Sequence, residues 1–367
     1  MAPTVNPCIK CQVTALYRIQ PILDKPEAST ATLTYETPNY KQGIAKRMSM
    51  EHSIALVTGA TSGLGYTAAL ALAADGWCQI IITGRRLAQV QAIAAQLATE
   101  AKKQVFIPLE LDLNESSSTQ SAVAELVKRG SPIDFLLLNA GLVGGSKLVL
   151  TSSGVEATQA PLIGHHQLAF GLLNDNLLSP KARIVISGAE PARGDMPLFS
   201  FTDVVTFAAE QHQGDRTAAI QALLRNGPNV KYAAHRAYAD AKLIIVWWVA
   251  ALARRLPPGM AVYAVSPGSA PDTQASRNAG LAIKWVMLPV LKLIPGMSQT
   301  PETAVRRYLQ AYEFGTDVSG QFYASPPKKV TGPIEAMQHP HLHDRDNQEA
   351  AWKAVVEVSG VSLKNTK

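Results

Sequence analysis

From Met50 onward, short apolar runs alternate with longer segments in which apolar residues recur at helical spacing. Ile54–Val57, Gln79–Thr83, Val105–Leu109, Phe135–Leu138 and Ile184–Ser187 predict strands. Leu64–Ala74, Leu87–Lys103, Ser117–Lys128 and Leu162–Leu178 predict the helices between them. The strands are apolar on both faces, as a parallel sheet covered by helices on both sides requires. The pattern therefore predicts an α/β fold with a doubly wound parallel sheet. Residues 1–49 carry no sustained periodicity and read as an N-terminal extension, leaving residues 50–367 as one domain.

Composition narrows the class without changing this picture. Hydrophobic residues make up 47% of the chain and charged residues 17%, a globular balance. The longest strongly apolar stretch, Leu243–Leu252, is too short to span a bilayer as a helix. The expectation is a cytoplasmic protein, with peripheral membrane contact left open. The net charge is +6, yet no Lys/Arg run with interleaved aromatics marks a nucleic-acid surface, so no such partner is expected. Cys8 and Cys11 form a lone CxxC, half the ligands of a zinc site, and His339, His341 and His343 are separated by Pro340 and Leu342; no metal is expected.

Candidate chemistry begins at the end of the first strand. Thr58-Gly59-Ala60-Thr61-Ser62-Gly63-Leu64-Gly65 runs directly into a helix. Glycines at such a turn let the backbone curl tightly and approach a pyrophosphate, while the helix N-terminus offers free N–H groups and the positive end of its dipole. The spacing is G-x-x-x-G-x-G. Its place between first strand and first helix makes this a Rossmann-type dinucleotide site, with Gly59, Thr61, Ser62, Gly63, Leu64 and Gly65 as cofactor-binding candidates. After the second strand, Thr83-Gly84-Arg85-Arg86 presents no acid for the adenosine ribose hydroxyls. Arg85 suits a 2′-phosphate instead, so NADP(H) is favoured over NAD(H); the plainer reading is a solvated arginine opening a helix. Asp112, followed by Leu113, is a candidate for the adenine amino group or an ordinary loop aspartate.

Further along, Asn139-Ala140-Gly141 follows the fourth strand, Tyr238-Ala-Asp-Ala-Lys242 opens a helix, and Ser266-Pro267-Gly268-Ser269 follows the sixth strand. With the glycine turn, and in this order, these segments resemble the short-chain dehydrogenase/reductase family from about Met50 to the C-terminus. The style is that of its retinol-dehydrogenase-like and protochlorophyllide-reductase-like members. The resemblance implies cofactor contacts from Asn139, Ala140, Gly141, Pro267, Gly268 and Ser269, and Tyr238 with Lys242 as the catalytic pair. Residues at i and i+4 share a helical face, so both side chains can serve one site. A free tyrosine has a pKa of about 10, which a neighbouring ammonium and the oxidised nicotinamide are expected to lower. Tyr238 would then exchange a proton with the substrate oxygen while hydride passes to or from the nicotinamide, with Lys242 also holding the ribose.

Two positions depart from the family pattern. Ala189 stands where the family places a serine hydroxyl, and Ser187, two residues and about 7 Å earlier along the strand, is the candidate substitute. Pro161 stands where the family often has an asparagine in a proton relay, leaving His165, His166 or a water as alternative support. Two functions stay open. One is an NADP(H)-dependent oxidoreductase acting on a small lipophilic alcohol or carbonyl compound. The other is a catalytically impaired cofactor-binding protein with a sensing or partner-binding role. Residues 190–237 carry the helix-like segments Asp203–Glu210 and Thr217–Leu224 and resemble the insertion of carbonyl-reductase-like members, which favours a monomer and leaves a dimer open. Residues 269–300, with Trp285, Met287, Leu291 and Ile294, predict a segment that closes over a lipophilic substrate.

Overall fold

The computed structural model describes residues 53–196, 198–270 and 296–364, all within the unit Gly43–Lys367. The N-terminal extension, the CxxC and most of the 269–300 segment, including Trp285, Met287, Leu291 and Ile294, lie outside the described residues.

Eight strands form one sheet: β1 (Ile54–Val57), β2 (Gln79–Gly84), β3 (Phe106–Glu110), β4 (Ile133–Leu138), β5 (Leu178–Ser187), β6 (Ala261–Val265), β7 (Phe322–Ala324) and β8 (Glu335–Ala336). Their order is β3-β2-β1-β4-β5-β6-β7-β8. Pairing is parallel as far as β7, and β8 returns antiparallel. This is the doubly wound arrangement the pattern predicts. The strand order reverses between β1 and β4, which opens a crevice beyond their C-terminal ends, the usual ligand position in such sheets.

Alternation along the strands sorts side chains between two cores. Ala55, Val57, Ile80, Ile82, Phe135, Leu137 and Val185 face one side. There they meet helices α1 (Gly63–Asp75), α2 (Leu87–Ala101) and, later in the chain, the helix Pro301–Tyr312. Ile54, Leu56, Ile81, Leu136, Leu138, Ile184 and Ile186 face the other side. That side is covered by α3 (Ser116–Arg129), α4 (Ala160–Asn174), α5 (Val204–Gln211), α6 (Arg216–Arg225) and α7 (Ala234–Ala253). Helix α8 is the Pro301–Tyr312 segment, and α9 (Arg345–Ser359) packs on the α7 side. No described helix is long and apolar enough to cross a membrane.

Local chemistry explains the boundaries. Helix α1 stops at Gly76, whose φ of 98° lets its N–H turn back to Ala73 and Leu72 carbonyls. Asp203 and Asp215 cap α5 and α6 by accepting backbone N–H groups of the first turn. Thr300 does the same for α8, as its Thr-Pro-Glu start predicts. Pro161 lies in the first turn of α4, where a missing N–H costs nothing. The predicted helix Leu162–Leu178 overruns: α4 ends at Asn174, Asn176 takes a φ of 54°, and Leu178 already belongs to β5. Apolar residues on both sides of Asn174-Asp175-Asn176 read as one helix from periodicity alone, and the left-handed turn at Asn176 divides them. Trp247 and Trp248 lie in the core, their indole N–H groups donating to His341 O and His166 Nδ1.

Candidate active site

The crevice at the switch point is built by two turns that lock together. Gly59 (φ +66°) and Gly63 (φ +56°) adopt the left-handed backbone that favours glycine. Gly65 is needed for a different reason: a Cβ there would overlap Gly59 O and come within 2.7 Å of Asn139 Nδ2. Asn139 donates from Nδ2 to Thr58 O at 3.0 Å, and Ala140 N–H donates to Thr58 Oγ1 at 3.0 Å. Ser62 caps α1 without a side-chain hydrogen bond, and no acid occupies the first turn. The opening N–H groups of α1 are thus left for an outside acceptor, and the cradle fits a dinucleotide phosphate.

Arg85 is exposed just beyond β2 and makes no hydrogen bond or ion pair among the described residues, whereas Arg86 donates to Gln89. Asp112 spends one carboxylate oxygen on Asn114 N–H in a local turn at 3.0 Å. Beyond β6, Gly268 (φ +74°) donates its N–H to Ser266 Oγ, and Ser269 N–H donates to Val330 O. The loop is fastened from outside by Arg307, which donates to Ser266 O, and by Gln299, which donates to Pro267 O.

Helix α7 brings Tyr238 and Lys242 to a small pocket shared with Ala140, Gly141, Pro161, His165 and Ser187. Tyr238 is half-buried, its ring edge-on to Phe199, and its hydroxyl has no hydrogen-bond partner among the described residues. Lys242 Nζ lies 5.6 Å from the Tyr238 ring centroid and donates to Ser187 O at 2.8 Å. Burial brings Lys242 down to about 8, against the Glu190 carboxylate, which pulls it back up. Burial pushes the Tyr238 phenol above its ordinary value, because desolvation penalises the phenolate, and the Glu190 carboxylate adds to the rise.

The reading of Ser187 as a substitute for the family serine needs correction. Strand alternation turns its side chain to the same side as Val185, where its hydroxyl pairs with Tyr308 Oη at 2.8 Å on α8. Ser187 offers Lys242 its carbonyl only. Ala189 stays without a hydroxyl at the strand end. The two histidines of α4 also part company. His166 is tied to Val361 O and Trp248 and belongs to the core. His165 lines the pocket, its Nε2 2.9 Å from Thr58 Oγ1.

Residues that sequence reading did not single out complete the setting. Glu190, directly after Ala189, is buried and ion-paired with Arg307 at 3.7 Å, and it accepts from Ser325 Oγ at 2.9 Å. Arg307 also donates to Gly332 O at 2.7 Å. No local motif reveals this contact, since its partners stand 117 positions apart in the chain.

The family model for short chain dehydrogenases matches residues 53–159. The WW domain-containing oxidoreductase of Drosophila melanogaster is 32% identical over 228 residues, 61% of this chain and 50% of that protein. Retinol dehydrogenase 13 of Homo sapiens is 27% identical over 288 residues, 76% of this chain and 78% of that protein. The chain spans about half the length of the WW domain-containing oxidoreductases it matches. Among solved structures, a short chain dehydrogenase from Burkholderia cenocepacia in complex with NADP superimposes with a TM-score of 0.53 at 22% identity, covering 74% of this chain and 96% of that one. Salutaridine reductase from Papaver somniferum gives 0.53 at 19% identity, covering 74% and 100%. At these identities the two structures speak for the fold.

Proposed function

This chain belongs to the short-chain dehydrogenase/reductase family, and from that premise we propose that it is an NADP(H)-dependent oxidoreductase interconverting a lipophilic alcohol and its carbonyl compound. The observation that carries the reading is the Tyr238 hydroxyl, without a hydrogen-bond partner among the described residues, near Lys242 in a pocket that adjoins the glycine cradle. When bound, the nicotinamide supplies or accepts the hydride. Gly59 to Gly65 would hold the pyrophosphate, Arg85 the 2′-phosphate, and Asn139 to Gly141 with Pro267 to Ser269 the walls of the nicotinamide end. Arg85 is an exposed cation with no partner among the described residues, which supports NADP(H) over NAD(H).

Tyr238 acts as the acid/base group, protonating a carbonyl oxygen in reduction or deprotonating an alcohol in oxidation while hydride passes from or to the nicotinamide. Lys242 lies where its charge steadies the phenolate left behind. With Ala189 at the strand end, the substrate oxygen meets Tyr238 without a serine donor; losing one such donor commonly costs about 10²–10³ in rate. That gap is also what supports the rival reading, a cofactor-binding protein with little turnover. In the same proposal the chain acts as a monomer and the apolar 269–300 segment selects lipophilic substrates.

A panel of aldehydes and ketones incubated with NADPH, with wild type and Tyr238→Phe compared, tests the assignment. Turnover that falls at least about 10²-fold in the variant, with NADPH binding retained, is expected. Binding of NADPH with no turnover in either protein would support the rival.

A further inference from the structure

We propose that Arg307, with Glu190 as its counter-charge, is a positioning residue for the nicotinamide half of the cofactor: it fixes the 266–269 loop and leaves the adenine half to the glycine turn and Arg85. The inference rests on the NADP(H) reading of the cradle and of that loop.

The starting point is a charge on the buried face of α8. Arg307 shares that face with the buried Ala304, Tyr308 and Ala311 and is itself only 4% exposed. Burial draws Arg307 below its ordinary value, and the Glu190 carboxylate, 3.7 Å away and equally buried, opposes the fall. A buried charge is tolerated where it is paired and its donors are used. A guanidinium carries five N–H donors in a planar fork. Here Nη1 donates to Ser266 O at 3.1 Å, and Nη2 donates to Gly332 O at 2.7 Å and Ser325 Oγ at 3.1 Å. Ser325 Oγ in turn donates to Glu190 Oε1 at 2.9 Å, which closes the circuit.

The 266–269 loop lies directly against this fork. A Cβ at Gly268 would come within 2.6 Å of Arg307 Nη1 and 2.7 Å of Val330 O, at a φ of +74° that itself favours glycine. Gln299 accepts from Arg307 Nη2 at 3.5 Å and donates from Nε2 to Pro267 O. Ser269 N–H reaches Val330 O at 2.8 Å. The turn leading to Val330 is held by Arg193, whose Nη1 donates to Ser325 O, Pro326 O and Lys329 O. Strands β5, β6 and β7 are neighbours in the sheet, and the Glu190–Arg307 pair ties together the chain leaving all three. The glycine turn is closed separately, by Asn139 and Ala140 on Thr58. Among the described residues no hydrogen bond or ion pair joins that turn to Arg307. The two ends of the crevice are therefore held by separate polar networks and can be weakened separately.

Equilibrium binding of NADPH and of adenosine 2′,5′-bisphosphate, which carries the adenine half without nicotinamide, tests this. Arg307→Lys keeps the charge and removes the fork. Glu190→Gln combined with Arg307→Met removes both charges, so that neither is left buried without its partner and the fold is retained. In each protein NADPH affinity should fall at least about tenfold, while bisphosphate affinity stays within about twofold of wild type. Equal losses of both ligands, or an unchanged NADPH affinity, would refute the positioning role. Amide hydrogen exchange in the unliganded wild type needs no variant: the Gly268 and Ser269 N–H groups should exchange at least about 10²-fold more slowly than in an unfolded chain, because the ion pair sets the loop before any cofactor arrives. Unprotected amides there would overturn the proposal equally. Wild type that binds neither nucleotide would overturn the NADP(H) reading, and this inference with it, whereas equal losses in the variants overturn the inference alone.

Discussion

Replacing Asp240 with asparagine should stabilise the protein at alkaline pH and leave it unchanged in acid. Asp240 lies on α7 between Tyr238 and Lys242 and is 5% exposed. Its carboxylate oxygens meet Thr202 N at 2.6 Å and Thr202 Oγ1 at 3.1 Å, anchoring the chain that leads into α5. Burial pushes it up from 3.8 to about 7, against the lowering effects of Thr202 and Arg236. Because the folded value is the higher one, the folded state binds the proton more tightly. The resulting stabilisation is complete below the unfolded value near 3.8 and is lost as pH rises through about 7. The gap is roughly three units at about 1.4 kcal/mol each, hence on the order of 4 kcal/mol. Asparagine reproduces the protonated acid, with Oδ1 accepting the Thr202 N–H and Nδ2 donating to Thr202 Oγ1. Urea unfolding followed by tryptophan fluorescence, run from about pH 4 to about pH 8, reads the effect directly. The difference between the two stability curves isolates this group from other titrations. It should be near zero in acid and open in favour of the variant by several kcal/mol toward pH 8. Curves that stay parallel across the range would show that burial does not raise the carboxyl as argued.

Three further substitutions probe the site. Gly65→Ala drives a methyl group into Gly59 O and the Asn139 amide; overpacking of about 1–3 kcal/mol should appear in the melting temperature, and NADPH affinity by fluorescence titration should fall more than about tenfold. Arg85→Ala should weaken NADPH at least about tenfold and NADH hardly at all, because only NADPH carries the 2′-phosphate; equal losses would remove the arginine from that role. Ala189→Ser should raise carbonyl reduction by up to about 10²-fold by supplying a donor at the strand end, and a rate that does not rise would mean the serine is not what limits turnover.

Much of the sheet and the cofactor side can be read along the chain because they depend on local order. The five strands up to Ser187 and the turn Thr58–Gly65 combine apolar runs with glycines whose backbone demands are specific. Tyr238 and Lys242 are legible for the same reason, being one helical turn apart. What could not be read depends on contacts distant in the chain. The three-residue β7 and two-residue β8 are too short to show a period. Helix α9 carries its apolar positions among Gln, Glu, Lys and Asn and is sorted only by its packing against α7. The face on which Ser187 emerges is set by the parity of β5, and a two-residue step along a strand conceals whether the hydroxyl points to α7 or α8. The upward movement of the Tyr238 phenol comes from enclosure and from Glu190, neither of which the Tyr-x-x-x-Lys spacing reveals.

The most direct test of hydride-transfer function is to follow the label from NADPH deuterated at the transferring carbon into product. Wild type, given a lipophilic ketone that it accepts from the panel, should place one deuterium on the new carbinol carbon, detected by mass spectrometry, while Tyr238→Phe leaves the ketone unlabelled. Tight NADPH binding with no deuterium in any alcohol, or label that survives undiminished in Tyr238→Phe, would contradict the account.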